Sequence, residues 1–282
     1  MKTLLVPVDF TETSVNAVNF AAEWCKKYDY KRIILLKTFY DSIFENIIVS
    51  AEYSNVNEDY LNLQRKEAVE QLHDMCKNLA EKAGNGVKVM TAVSEFPLLR
   101  GIMEIVQNEN PDLIILGSDN YSYSSGSFIA GNLISIAKIS PVRVLIVPAD
   151  YTYQDVEEAL VPVDYHTLKN VDKLNNLGRA FPGVKLRLQV LNVDAKERYL
   201  KADEIFKERE NSLHNYLHNF EHQIHYRNDR NVIEGILNFT KEHPTQLIIA
   251  LPGKHSFLYL LTHSSISEAI YRNAHQPVLI LK

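Results

Sequence analysis

Apolar residues along this chain fall into short unbroken runs separated by longer stretches in which they recur every three or four positions. The runs at 3–8, 32–39, 87–93, 113–116 and 142–147 are too short for buried helices and predict strands covered on both faces. Helical periodicity between them predicts helices over 14–27, 60–82, 98–108 and 129–139, with Gly84 placed where a helix stops. The second half predicts strands at 159–163, 185–193, 223–226, 247–251 and 278–281. Strands that alternate with helices form parallel sheets, because the long crossover between parallel neighbours needs a helix to cover a face. The expected fold class is therefore α/β: two doubly wound, five-stranded parallel sheets with helices on both faces.

The two halves are repeats. Leu5-Val6-Pro7-Val8-Asp9 recurs as Leu160-Val161-Pro162-Val163-Asp164, and Asn110-Pro111-Asp112-Leu113-Ile114-Ile115 is echoed by His243-Pro244-Thr245-Gln246-Leu247-Ile248-Ile249. Ser140-Pro141-Val142-Arg143-Val144-Leu145 returns near the end as Gln276-Pro277-Val278-Leu279-Ile280. The polar stretch Ala149–Gln154 separates the copies, so domains are expected at 1–151 and 152–282. The last strand of each copy is an apolar sheet edge whose backbone needs a partner, and the two edges can supply it to each other.

Composition and charge narrow the function. A net charge of −5, from 30 basic and 35 acidic residues, offers no general attraction to nucleic acid or to anionic lipid. The opening apolar run is shorter than a signal peptide needs and no run reaches membrane-spanning length, so a cytoplasmic protein without membrane or nucleic-acid partners is expected. Cys25 and Cys76 alone cannot build a disulfide framework or a four-thiolate zinc site.

Lys2–Asp9, followed by a helix carrying Ser14, Ala17 and Ala21, resembles the opening of a universal stress protein domain. Pro111–Gly117 and Ser265–Arg272 are similar to that family's fourth strand and last helix. The resemblance covers both halves and implies a flavodoxin-like (adenine nucleotide alpha hydrolase-like) fold whose domains pair through their last strands. Here that pairing becomes an intramolecular pseudo-dimer, with a homodimer as a further assembly.

For ATP-binding members the resemblance implies an Asp after the first strand. It also implies a Gly, two residues, Gly, nine residues, then Gly with Ser or Thr. Glycines after a strand let backbone N–H groups reach phosphate oxygens, a helix N-terminus adds its dipole, and the hydroxyl donates once more. At that spacing the first half presents Gly117, Asn120, Ala130 and Gly131, and the second presents Leu251, Lys254, Ser264 and Ser265. Asp9 and Asp164 match the adenosine-contacting aspartate, and Thr38 and Val193 fall where the second strand faces the adenine. Gly253 and Lys254 can meet an anion, and Ser118 opens a loop whose Tyr121 and Tyr123 can stack on a base or cover a pocket.

His214, His218 and His222 are four apart, a spacing at which one helix can present all three to zinc or nickel, with His225 slightly beyond. Strand character from Gln223, the absence of a nearby cysteine and the lack of an intervening Glu make a solvated helix face the favoured reading, and no metal is expected. Gly253-Lys254-His255-Ser256 fails as a phosphate loop because Ile249 stands where its first glycine belongs. No nucleophile elbow, kinase signature or dinucleotide fingerprint occurs, so no catalytic residue is assigned. The reading is a stress-response regulator rather than an enzyme, with slow ATP hydrolysis kept as a third reading, and it has a nucleotide- or small-ligand-sensing cleft, ATP or another adenine nucleotide being the implied ligand. The alternative is a ligand-free scaffold that binds protein partners.

Overall fold

The computed structural model describes residues 1–39, 57–119, 127–166, 168–251 and 275–282. Its contacts divide the chain into two compact units. The first holds Met1–Gly117 and the stretch ending at Val142; the second holds Ser118, Asp119 and Arg143–Lys282.

In the first unit the strands run β1 (Thr3–Pro7), β2 (Arg32–Thr38), β3 (Lys88–Ser94) and β4 (Leu113–Ser118), side by side in the order β3-β2-β1-β4 and all parallel. Every residue of β1 and β4 is buried, as a central strand with helices on each face requires, whereas β3 at the edge is only partly covered. The Glu12–Tyr28 helix begins at Thr11, whose Oγ1 accepts from the Ser14 amide, and stops at Asp29 in the left-handed region. It buries Phe20, Trp24 and Tyr28 along one stripe, with Phe20 and Trp24 stacked at 5.6 Å. At the N-terminal ends of the strands Arg32 reaches Thr3 Oγ1 at 3.0 Å, Glu109 Oε2 at 2.7 Å and the Glu109 carbonyl at 2.8 Å, so one guanidinium fixes β1, β2 and the Leu98–Glu109 helix together.

The second unit contains β5 (Arg143–Pro148), β6 (Glu158–Pro162), β7 (Arg187–Val193), β8 (Glu221–Arg227), β9 (Leu247–Ala250) and β10 (Val278–Ile280), in the order β5-β10-β9-β6-β7-β8. Neighbours are parallel except β5 and β10, which pair antiparallel with Leu145 opposite Leu279. The terminal strands of the two repeats thus satisfy each other's edges, as their apolar sequences anticipate.

Each repeat supplies five strands, and the strands fall where the hydrophobic runs place them, within two residues at either end. The helices depart in two places. The helix expected over 129–139 is two pieces, Phe128–Gly131 and Leu133–Ile139, meeting at Asn132, whose side-chain amide donates to the Phe128 carbonyl at 2.8 Å and competes with the helical ladder. After β6, where the first repeat has a 17-residue helix, the second has a 3-10 stretch, Leu168–Asn176, and a single turn, Leu177–Ala180. Asn and Asp side chains crowd that segment, and Asn175 bonds Asp172 at 2.9 Å.

Gly117 shows what holds the first unit's helix to its sheet. A Cβ there would lie 2.4 Å from the Thr13 carbonyl oxygen and 2.8 Å from Thr13 Cγ2, so the helix's first turn can close on the end of β4 only without a side chain. Gly117→Ala is expected to lower stability by about 1–3 kcal/mol through this overpacking, measured as a shifted denaturation midpoint with an unchanged slope.

Candidate functional site

Asp9 leaves the C-terminal end of β1 and is followed by Phe10 at φ 65°, a left-handed conformation unusual for a bulky residue, which reverses the chain into the helix cap. Lys37 lies over the Phe10 ring at 5.2 Å. One Asp9 oxygen, Oδ1, accepts from Thr11 Oγ1 at 2.6 Å and from the Thr11 amide at 3.2 Å. The other, Oδ2, accepts from Ser127 Oγ at 2.5 Å and from the Ile129 amide at 3.3 Å. Burial works to raise the pKa of this carboxyl, but hydrogen bonds from Ser127, Thr11, Ser14 and the Ile129 amide together hold it below its ordinary value. Asp9 therefore stays charged at the first turn of Phe128–Gly131, where exposed amides favour a negative charge.

Ser127 is the residue that fixed motif spacing misses. Its Oγ donates to Asp9 and accepts from the Ala130 amide at 3.1 Å, so it caps the turn that the resemblance assigns to the phosphate-binding hydroxyl. The sequence places Gly126 before it, a Gly-Ser pair four positions ahead of Ala130-Gly131. The readable signal was a Ser directly before the apolar run Phe128-Ile129-Ala130. Ala130 is buried within this turn, and Gly131 is exposed with open space where a Cβ would stand.

Other assigned residues are packed by their own chain. Thr38 ends β2 beneath Gly101, where a Cβ would come within 3.1 Å of both Thr38 Cγ2 and Ser94 Oγ. Ser118 is fully buried; its Oγ donates to the Val147 carbonyl at 3.4 Å and its backbone carbonyl accepts from the Ala149 amide at 2.9 Å. The structure thus brings Asp9 and Ser127 together and holds Gly117 against Thr13. Asn120, Gly253, Lys254, Ser264 and Ser265, and the loop tyrosines Tyr121 and Tyr123, lie outside the described residues. A groove of about 490 Å³ runs between the Glu12–Tyr28 and Asn57–Ala83 helices, lined by Phe10, Val18, Met75, Leu79, Asn19 and Lys82.

The second repeat builds its equivalent end differently. Asp164 Oδ1 accepts from the His166 amide at 2.9 Å in a local turn. Val193 packs under Gly235, where a Cβ would stand 2.9 Å from Val193 Cγ1, the same helix-on-strand approach as Gly101 on Thr38. Past β7, buried Asp194 binds Arg198 through Nε at 2.9 Å and Nη2 at 3.0 Å, with further bonds from the Arg198 and Lys196 amides. Burial pushes its pKa up, and the Arg198 and Lys196 bonds bring it below normal. Tyr165 donates to the Tyr226 hydroxyl at 2.6 Å, and Tyr226 donates to Glu210. Burial raises the Tyr165 phenol to about 12 and moves Tyr226 upward as well. The rings of Tyr165, Phe206, Tyr226 and Tyr199 stack or tilt against one another at 4.9–6.1 Å.

The three histidines do not share one helix. The Glu204–Tyr216 helix ends before His218, and His222 lies on β8 because the Leu217–Phe220 turn reverses the chain between them. Among the described residues no group of three or more His, Cys, Asp or Glu could hold a metal ion, and no helix is long and apolar enough to cross a membrane.

A model of the universal stress protein family matches residues 1–148. Among solved structures, the chain is similar to a universal stress protein from Archaeoglobus fulgidus DSM 4304, with 15% identity over 99% of this chain and 98% of that one and a TM-score of 0.62. It is also similar to a functionally unknown protein from Pseudomonas aeruginosa PAO1 (14% identity, 100% and 92% covered, TM-score 0.54). The cytoplasmic domain of a prokaryotic cation chloride cotransporter is a third (14% identity, 99% and 94% covered, TM-score 0.53). At these identities the likeness is one of fold, and it spans both repeats. No curated protein matches.

The depressed Asp9 pKa makes a prediction about acid stability. Its stabilisation is present above the ordinary value of 3.8 and is lost as pH falls through that value toward the lowered native one. Asp9→Asn is expected to cost about 1–3 kcal/mol at pH 7, because an amide presents N–H to donors, and to flatten the acid limb of stability against pH in denaturant titrations.

Proposed function

Because the chain belongs to the universal stress protein family, we propose that it is a stress-response regulator, acting in the cytoplasm, whose first repeat senses ATP or another adenine nucleotide. The carrying observation is the Asp9–Ser127 hydrogen bond at 2.5 Å, which joins the carboxylate after β1 to the hydroxyl that opens the turn after β4. Ligands of doubly wound sheets sit outside the strands' C-terminal ends. Here Ser127 and the Ile129 amide would turn from Asp9, and the Ala130 amide from Ser127, to a phosphate, and Asp9 would be released to a ribose hydroxyl. Gly117 keeps the approach between helix and strand short enough for both. Binding would change the charge at the first turn of Phe128–Gly131 and so bias the surface offered to a protein partner. A regulatory binding role is supported by the donors and acceptors around Asp9, which hold each other in place until a ligand exchanges with them.

In the second repeat, taken as 152–282, the alternative reading is favoured. Tyr165, Tyr226 and Phe206, locked by Glu210, fill the strand ends beside Asp164 with the chain's own rings. That half serves as a ligand-free scaffold.

Titration of ATP, ADP and AMP with magnesium is the test. Saturable binding is expected in the wild type, lost in Asp9→Ala and weakened at least about tenfold in Ser127→Ala, the loss of one charge-assisted hydrogen bond. Asp164→Ala should bind as the wild type does. No binding to the wild type would assign both repeats to the scaffold role, and loss in Asp164→Ala alone would move the site to the second half.

A further inference from the structure

His214 is exposed at the end of the Glu204–Tyr216 helix, and His222 stands half-buried near the start of β8. Their ring nitrogens meet head-on, His214 Nδ1 to His222 Nε2, at 2.8 Å. The other nitrogen of His222, Nδ1, sits 2.9 Å from the Phe220 carbonyl, which can only accept, so it carries the proton and leaves Nε2 as a lone pair. A backbone carbonyl fixing the far nitrogen is the orientation seen in metal-bound histidines. His214 therefore donates Nδ1–H to His222, and the two rings lie 5.1 Å apart at 43°, with His214 exposed to solvent.

We propose that His214 and His222 form a two-nitrogen site for a borderline divalent transition metal such as zinc or nickel, completed by water. Two imidazole nitrogens on a tetrahedral ion lie about 3.3 Å apart, given metal–nitrogen bonds of about 2.0–2.1 Å. The observed pair needs to open by about 0.5 Å, within the reach of an exposed helix-end side chain. On binding, the proton on His214 Nδ1 passes through solvent to its own Nε2, both lone pairs go to the metal, and no net proton is released. His218 is not a member: the 2.8 Å contact joins His214 to His222, whereas the His218 ring is tied within the turn to the Asn215 carbonyl at 2.7 Å. The ion would clip the end of the helix to β8 across that turn, far in sequence from Asp9, so the site stands whether or not a nucleotide binds.

The test is calorimetric titration of zinc chloride into the full chain, with His214→Ala, His222→Ala and His218→Ala, and nitrogen-15 spectra of the imidazole rings. One zinc per chain is expected, with the dissociation constant raised at least about tenfold by either of the first two changes and unchanged by the third. The His214 ring should switch from the Nδ1–H to the Nε2–H tautomer as zinc is added, a signal that a purely structural histidine pair would not give. His214 is exposed, so its alanine variant keeps the fold, checked by circular dichroism. Absence of saturable uptake in the wild type, equal uptake in His214→Ala and His222→Ala, an equal loss in His218→Ala, or an unmoved tautomer would each overturn the proposal.

Discussion

A half-buried carboxylate must be met by donors, and Asp9 is met by the Thr11 hydroxyl and amide, the Ser127 hydroxyl and the Ile129 amide. Satisfying it fixes three elements at once. The chain after β1 must turn back through Phe10, the Glu12–Tyr28 helix must begin at Thr11, and the turn after β4 must bring Ser127 within reach. Gly117 makes that convergence geometrically possible, since Thr13 occupies the space a side chain would need. The proposed binding end and this folding constraint are thus the same set of atoms, and a ligand entering here would exchange partners with groups already satisfied.

The repeats answer one architectural demand with different chemistry. In the first, the end of β1 is organised by a helix cap and small hydroxyls; in the second, by an Asp194–Arg198 fork and a chain of phenols ending on Glu210. Helix-on-strand approach persists in both, as Gly101 over Thr38 and Gly235 over Val193, because it follows from packing a helix on a sheet. What diverges is the part that could contact a ligand. Hydroxyls and amides can exchange partners with a phosphate, whereas interlocked aromatic rings would have to leave their packing first.

This distinction also explains what the sequence made legible. Most strands follow directly from apolar runs, because burial on two faces leaves no room for polar residues, while the partly covered edge strands β3 and β8 carry polar ones. The repeat gave the second half the same succession of strands as the first, and the apolar terminal strands anticipated the β5–β10 pair. Asp9 was legible because it closes a segment repeated as Leu160–Asp164 and falls where the family resemblance implies an aspartate after the first strand. Ser127 was not, because counting nine residues treats a loop as rigid while loops change length freely. The Tyr165–Tyr226–Glu210 chain joins residues from three elements, and nothing local in their sequences marks them as neighbours.

The histidines show the same limit from the other side. Their spacing suggested one helix face, but the helix stops at Tyr216, and the turn that follows carries His222 onto a strand opposite His214. Periodicity grouped His214 with His222, but through the wrong element. The contact it could not foresee is more selective than the one it suggested. Histidines on a free helix face are held only by their own side-chain rotamers, whereas a helix end set against a strand fixes the distance between two nitrogens, and the Phe220 carbonyl fixes which of them is a lone pair. Pre-organisation of that kind, more than the number of imidazoles, decides whether such a pair can capture an ion from water.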